Sequence, residues 1–324
     1  MAWPVASAAV VDTTYIPAES VAFERRPAAG YAMVVCAAVL FGVNGAVSKV
    51  ALDAGLTTFR LAQLRCLGTF VILAAILLAA RPAMVRARRS ELPFLALFGS
   101  AVVLTQLTYF LAIRRLDIGV ALLVIFLAPL LVALWARFAG REHVRRRVWA
   151  ALALTLAGLS LVVDVWGGVS LDGLGVVFAL LGAGSVAAYF LLAEHAIGRR
   201  DPLSLLFWGF LFASLLWAIV QPWWSFPFDV LGERVSLLGN LAGLHLPEWS
   251  LVAWVIVLGT ILPFVLVLGS LRHLPATRVA ICAMTEPVVA TVVAFAWLDE
   301  TLGTQQLIGG AVVLAAIFLA QTAR

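Results

Sequence analysis

Glu286 is the residue on which chemistry could turn. It stands in an uncharged apolar run, eight positions after Arg278 and eleven before Trp297, roughly 12 Å from the nearer end of a helix that rises 1.5 Å per residue. A carboxylate at that depth cannot reach bulk water, and burying it ionised costs more than about 2.5 kcal/mol on insertion scales. It needs a proton, a cationic partner or a hydrated cavity. Two readings stay open: a hydrogen bond to a neighbouring helix, or a site for a proton or for the cationic end of a substrate.

Lys49 and Arg65 are the other charges set inside apolar runs, each a few residues from a run's end. Their long stems can snorkel to the headgroups; turned inward, they become partners for a substrate carboxylate or for Glu286. Asn44 lies five residues before Lys49, near the same face. Gln106 and Tyr109 are three apart and share a helical face, beside Thr105 and Thr108. They either point jointly into a cavity or bond a neighbouring helix. Tyr189 is a weaker binding candidate, as are Trp208 and Trp217, for which packing or lipid contact is the simpler reading. Glu194 and His195 are expected to close a helix at the cytoplasmic rim.

Pro129, Pro287 and Pro263 each fall within an apolar run. A proline inside a helix withholds its own N–H and frees the carbonyl four residues back, which is Ile125 before Pro129 and Ala283 before Pro287. In hydrocarbon such a break is tolerated where other helices or a water-filled cavity supply partners. The sequence therefore places hinges or packing kinks at these three positions.

What must hold these residues is a set of membrane spans. Of 324 residues only 12% are charged and 64% are apolar, with a mean hydropathy of +1.07, whereas a soluble chain carries roughly a quarter charged residues. That excludes a soluble enzyme or a nucleic-acid-binding module. Runs long enough to cross a bilayer as helix are expected at 30–52, 59–80, 93–115, 117–136, 148–166, 173–193, 203–221, 250–270, 278–297 and 304–321, after a disordered tail over 1–29. The fold class expected is an all-α polytopic membrane protein with ten transmembrane helices in two inverted five-helix repeats, 30–166 and 172–321.

Charge placement orients it. With a cytoplasmic N-terminus, the inner joints hold sixteen arginines, including Arg25, Arg26, Arg324 and the clusters at Arg86–Arg89 and Arg141–Arg147; the outer joints hold Arg60, Arg114, Arg115 and Arg234. Positive charge inside places both ends in the cytoplasm. The clusters could also bind anionic lipid or a nucleotide, with orientation the simpler reading. The long connection 222–249, bracketed by Trp223, Trp224 and Trp249, is expected along the outer surface.

Sliding the chain by 158 residues, the step from Pro129 to Pro287, also superposes Arg114 on Arg272, Leu116 on Leu274, Ala136 on Ala294 and Glu142 on Glu300. Such internal similarity is how two-repeat carriers announce themselves. Five spans per half would make the second half insert upside down. Cys36, Cys66 and Cys282 are odd in number and lack CxxC or His-rich spacing, which reads as reduced packing residues. No metal site and no cofactor is expected. Enzyme motifs such as HExxH, GxSxG and the P-loop do not occur.

The segments FGVNGAVSKVAL at 41–52 followed by Arg65, GSAVVLTQLTYFLAIRRLDIGVALLVIFLAPLLVAL at 99–134 and HLPATRVAICAMTEPVVATVVAFAWLDETLGTQQLIGG at 273–310 resemble the EamA-type branch of the drug/metabolite transporter superfamily. The third, fourth and ninth spans look closest to its threonine/homoserine exporter subgroup. The resemblance implies ten helices in two inverted halves around a central cavity, cytoplasmic termini, and export of amino acids or related metabolites. The family's mid-helix glutamate maps onto Glu286 and its first-span lysine onto Lys49; Asp299 replaces a family glycine, and Ala128 stands where the first half would repeat the acid.

The function expected is a plasma-membrane secondary transporter exporting a small polar metabolite by alternating access. Its partners would be that substrate and the lipid bilayer, with protons and a homodimer as open options and no nucleic acid. Two alternatives remain at this point: an exchanger of nucleotide-sugars or phosphorylated metabolites, which needs several inward cations, and a non-transporting scaffold or receptor.

Overall fold

A computed structural model describes residues 26–116, 118–140, 144–162, 172–197, 199–299 and 303–321. The tail over 1–25, with Arg25, lies outside these residues, as do Arg141, Glu142, Glu300, Arg324 and the stretch 163–166 assigned to the fifth span.

The chain runs through α1 (Pro27–Asp53), α2 (Thr58–Ala80), α3 (Leu92–Ile113), α4 (Ile118–Ile125), α5 (Ala128–Phe138), α6 (Arg146–Val162), α7 (Gly173–Ile197) and α8 (Pro202–Val220). After a long connection come α9 (Glu248–Ile256), α10 (Leu262–Ser270), α11 (Ala276–Ala283), α12 (Glu286–Leu298) and α13 (Thr304–Gln321). Among the described residues, eight helical stretches are long and apolar enough to cross a bilayer. Large apolar side chains such as Phe138, Phe318 and Ile219 point out of the bundle, the last 78% exposed. Only a lipid solvent makes that favourable. The chain is a helical, multi-pass membrane protein.

Local sequence explains where helices start. Helix α1 begins at Pro27, three residues before the expected span, because proline's missing N–H costs nothing in a first turn. Thr57 caps α2 by accepting from Arg60 N at 3.3 Å, and Asp201 caps α8 by accepting from Leu203 N at 2.9 Å.

The three prolines fall where helices restart. Helices α4 and α11 end at Ile125 and Ala283, the two residues whose carbonyls Pro129 and Pro287 release, and α5 and α12 begin one residue before each proline. The joints tighten into short i→i+3 turns, Leu127 N to Val124 O at 3.1 Å and Thr285 N to Cys282 O at 3.0 Å. Before Pro263 the chain relaxes instead, into a π-turn over Val257–Ile261, where Thr260 Oγ1 donates to Val255 O at 2.8 Å.

The broadest helix contacts follow a repeating pattern. Helix α3 packs on α7 as the α9–α10 span packs on α1; α4 and α5 pack on α7 as α11 and α12 pack on α1; α2 meets α8, and α6 meets α13. Small residues allow the closest approaches. A Cβ on Gly42 would sit 2.7 Å from Val289 Cγ1 and 2.9 Å from Ala290 N, and one on Gly182 3.0 Å from Ile125 Cγ1. Leu116 lies against Gly175, and Leu274 against Gly30.

The connection between α8 and α9 departs from a simple loop. It carries a two-stranded antiparallel hairpin, β1 (Arg234–Ser236) with β2 (His245–Pro247), in the register Val235 to Leu246. Phe226 and Leu237 of this strap are buried with Val47, Val50 and Ala51 of α1, Leu61 of α2 and Leu251 of α9.

Glu248, where the strap enters α9, is 0% exposed, and neither of its carboxylate oxygens has a hydrogen-bond partner. An unpartnered buried polar group costs about 1–3 kcal/mol, of which the first-turn field of α9 offsets only part. Replacing Glu248 by methionine, of similar length, is therefore expected to stabilise the protein by about 1 kcal/mol or more, seen as a higher thermal midpoint in detergent. A lower midpoint would mean that the acid is compensated after all.

Candidate functional site

Glu286 opens α12 and follows directly on the break at Met284–Thr285. A helix start carries unpaired N–H groups and a partial positive charge, which favours an acid there. The break thus explains how a carboxylate sits this deep. It is also partly exposed, although the run around it is apolar. The two halves of its span differ: α11 buries Thr277, Val279, Ala280, Ile281 and Cys282, while no residue of α12 is fully buried. Glu286 stands at the boundary between the buried and the more exposed half of the span.

Arg65 and Tyr109 lie within electrostatic reach of Glu286. The charge of Glu286 acts on both, and Arg65 is the charge that acts on Glu286. Both are partly exposed, Arg65 on α2 and Tyr109 on α3. Arg65 Nε is buried without a hydrogen-bond partner, and none of the described ion pairs joins Arg65 to Glu286. The two opposite charges are near neighbours that do not touch. Opposite charges not paired with each other offer one partner each to a ligand with a cationic and an anionic end, whereas a purely apolar one would leave both uncompensated.

The other expected residues take different stations. Gln106, 7% exposed, donates to Cys66 Sγ at 3.7 Å and so links α3 to the residue following Arg65. It bonds a neighbouring helix at the edge of the site. Tyr189 is buried with its hydroxyl unpartnered, in an aromatic cluster centred on Phe264, whose ring lies 5.7 Å from Tyr189, 5.5 Å from Phe41 and 5.4 Å from Phe210. Asn44 is buried over Gly259 of the π-turn, its Oδ1 unpartnered. Lys49 is exposed near the end of α1.

Pro129 and Pro287 both lie at the second position of a restarted helix, but the two breaks differ in charge and burial: α12 begins with the partly exposed Glu286, α5 with the buried Ala128.

At the end of the bundle opposite the strap, polar links tie the helix ends together. Glu194 Oε1 accepts from Ala276 N at 2.7 Å, capping α11 from the end of α7. Arg272 pairs with Asp201 at 3.1 Å, and Arg200 with Glu91 at 2.9 Å while also donating to Ser204. The cap made by Glu194 is a role that its position near the end of α7 did not announce. Two further residues escaped sequence reading. Cys66 looked like packing and Arg60 like an orientation signal, yet Arg60 is 5% exposed and fully engaged by the strap. Its two carbonyl partners lie 162 and 165 residues away, so no local pattern could reveal them.

With this geometry in view, comparison with known proteins is decisive. The EamA-like transporter family matches residues 28–164 and again 173–322. The chain belongs to the EamA-like transporter family. It is 30% identical over 276 residues to the threonine/homoserine exporter RhtA of Escherichia coli K12, covering 83% of this chain and 82% of that one. It is also 30% identical over 235 residues to a transporter of Archaeoglobus fulgidus, covering 70% and 77%. A crystal structure of a protein with 17% sequence identity superposes with a TM-score of 0.68 over 90% of this chain and 96% of that one, which speaks for the fold. This family member is a membrane transporter that works on a small-molecule substrate within a lipid bilayer, and the family and these relatives are described by transport rather than by an enzymatic activity.

Proposed function

We propose that this EamA-family transporter exports an amino acid or a similar zwitterion across the plasma membrane by alternating access. The observation that carries the reading is the opposed pair Arg65 and Glu286, the acid at a helix break, within electrostatic reach of each other with no ion pair between them among the described residues. Glu286 receives the substrate ammonium, Arg65 its carboxylate, and Tyr109 a hydroxyl or amide beside them. The relatives named as threonine/homoserine exporters support the substrate class.

The chain is built, in this proposal, as ten spans in two inverted five-helix repeats with cytoplasmic termini. The double family match supports it, and so does the helix pairing, which is preserved when each span is exchanged for the one five places on. Pro129, Pro263 and Pro287 are the hinges. Opening toward the cytoplasm requires the links Glu194–Ala276 and Arg272–Asp201 to part, since they tie the α11 end of the acid's own span. A proton on Glu286 is a natural competitor for the ammonium, which makes proton exchange the expected coupling. The phosphate-exchange alternative gains little, because a phosphorylated ligand would meet Glu286 as a repulsive neighbour.

The test is uptake into proteoliposomes of threonine and homoserine, with a phosphorylated metabolite as competitor. Saturable amino-acid flux that the phosphate compound leaves unchanged is expected. Flux inhibited by the phosphate compound but not by unlabelled amino acid would overturn the reading.

A further inference from the structure

The strap between α8 and α9 has two anchors, and they fall on the two helices that carry the opposed charges. On α2 the Arg60 guanidinium donates to Pro222 O at 3.0 Å, Ser225 O at 2.9 Å and Ser225 Oγ at 2.6 Å, as well as to Gln63 Oε1 at 2.8 Å. Gln63 in turn donates to Gln221 O, and the Phe226 ring lies 5.5 Å from the Arg60 guanidinium carbon. On α12 the indole of Trp297 donates to Leu237 O at 2.9 Å, and Asn240 Nδ2 donates to Ala296 O at 3.1 Å.

The second anchor is shaped for contact. Gly239 has φ +47, and a Cβ there would sit 2.2 Å from Trp297 O and 2.6 Å from Leu298 Cα, so glycine is required where the strap touches the end of α12. Between the anchors the strap is internally braced by the hairpin, by Leu237 N to Leu244 O at 3.0 Å and by Glu248 N to Glu233 O at 2.9 Å. A braced segment bonded at both ends transmits displacement; a floppy one would absorb it.

Arg60 lies five residues before Arg65 on α2, and Trp297 eleven after Glu286 on α12. We propose that Arg60 and Trp297 are positioning residues: through the strap they fix the separation of α2 and α12, and with it the gap between Arg65 and Glu286 that selects ligand length. Helix α12 packs mainly on α1, with Val289 closing on Gly42, and the strap is its next contact, at the end farther from Glu286. The inference rests on the reading of Arg65 and Glu286 as the two poles of the site, while its physical core, coupling of α2 to α12, does not.

Hydrogen exchange of the full chain in nanodiscs separates the two. In Arg60→Gln, amides of 286–298 are expected to exchange about tenfold faster, although Arg60 does not touch α12. Acceleration confined to 221–247 would overturn the proposal. Trp297→Phe, which keeps the ring and loses one donor, carries the converse test should Arg60→Gln not fold. It is expected to speed exchange in 58–66 of α2, and unchanged exchange there would overturn the proposal equally.

In proteoliposomes both variants are expected to raise KM for threonine several-fold with a smaller effect on maximal flux, and Arg60→Lys to recover part of the loss. A fall in maximal flux with KM unchanged would make the strap a mere structural support. If the wild-type chain moved no amino acid, the transport reading would fail, and the exchange data would still decide whether the strap couples the helices.

Discussion

Replacing Glu286 by glutamine is expected to weaken amino-acid transport ten- to hundredfold while leaving the protein folded. Glutamine keeps the shape and hydrogen-bonding reach of the acid at the start of α12 but cannot balance an ammonium. A hydrogen bond to a charged group contributes about 1.5–3 kcal/mol, and each 1.4 kcal/mol is a factor of ten in affinity. The loss should appear as a higher KM in proteoliposomes, together with a flatter dependence of flux on pH because the exchangeable proton has gone. Unchanged flux and unchanged pH dependence would take Glu286 out of the mechanism.

Arg65→Gln is expected to have a comparable effect of a different kind. Its target is selectivity, since Arg65 is assigned the substrate carboxylate. The wild-type protein should discriminate strongly between threonine and the amine left by removing its carboxylate, and Arg65→Gln should lose most of that discrimination, about 1.5–3 kcal/mol of it. The double variant with Glu286→Gln is expected to be less impaired than the two single losses combined. Each single change strands one charge in a partly desolvated space, and the double change strands neither. Strict additivity would mean that the two residues do not share a ligand. Measuring uptake of both compounds by the four proteins settles it.

The parts of this site that could be read from sequence share one property: they violate the rule of their surroundings. An acid in an apolar run and three prolines inside spans are conspicuous because hydrocarbon penalises them, and the helices end and restart at those prolines. Arg65 stood out for the same reason. Orientation was harder, because snorkelling and inward-facing basic residues look alike in sequence; Lys49 is exposed and Arg65 lies within electrostatic reach of Glu286.

Other features were hidden for reasons of distance or brevity. The strands β1 and β2 are three residues each, too short for an alternating pattern, and the segment that joins them carries no Asn-Gly or Asp-Gly pair. Arg60 sits near the start of a span, where a basic residue ordinarily signals topology, and its true partners are brought by tertiary structure. Cys66 and Gln106 find each other across forty positions of sequence, an encounter that only the packing of α2 and α3 creates.

The way the helices pair has a bearing on biogenesis. Since α3, α4 and α5 lean on α7, α1 on α10 and α12, and α6 on α13, the early helices leave the ribosome before their main neighbours exist. Residues 26–162 synthesised alone would be an open fan of spans with small-residue seams bare to lipid, a substrate for quality-control proteases. Supplied from a second message, residues 172–321 should rescue it, and the bundle should reassemble from two unlinked polypeptides without a covalent joint between them.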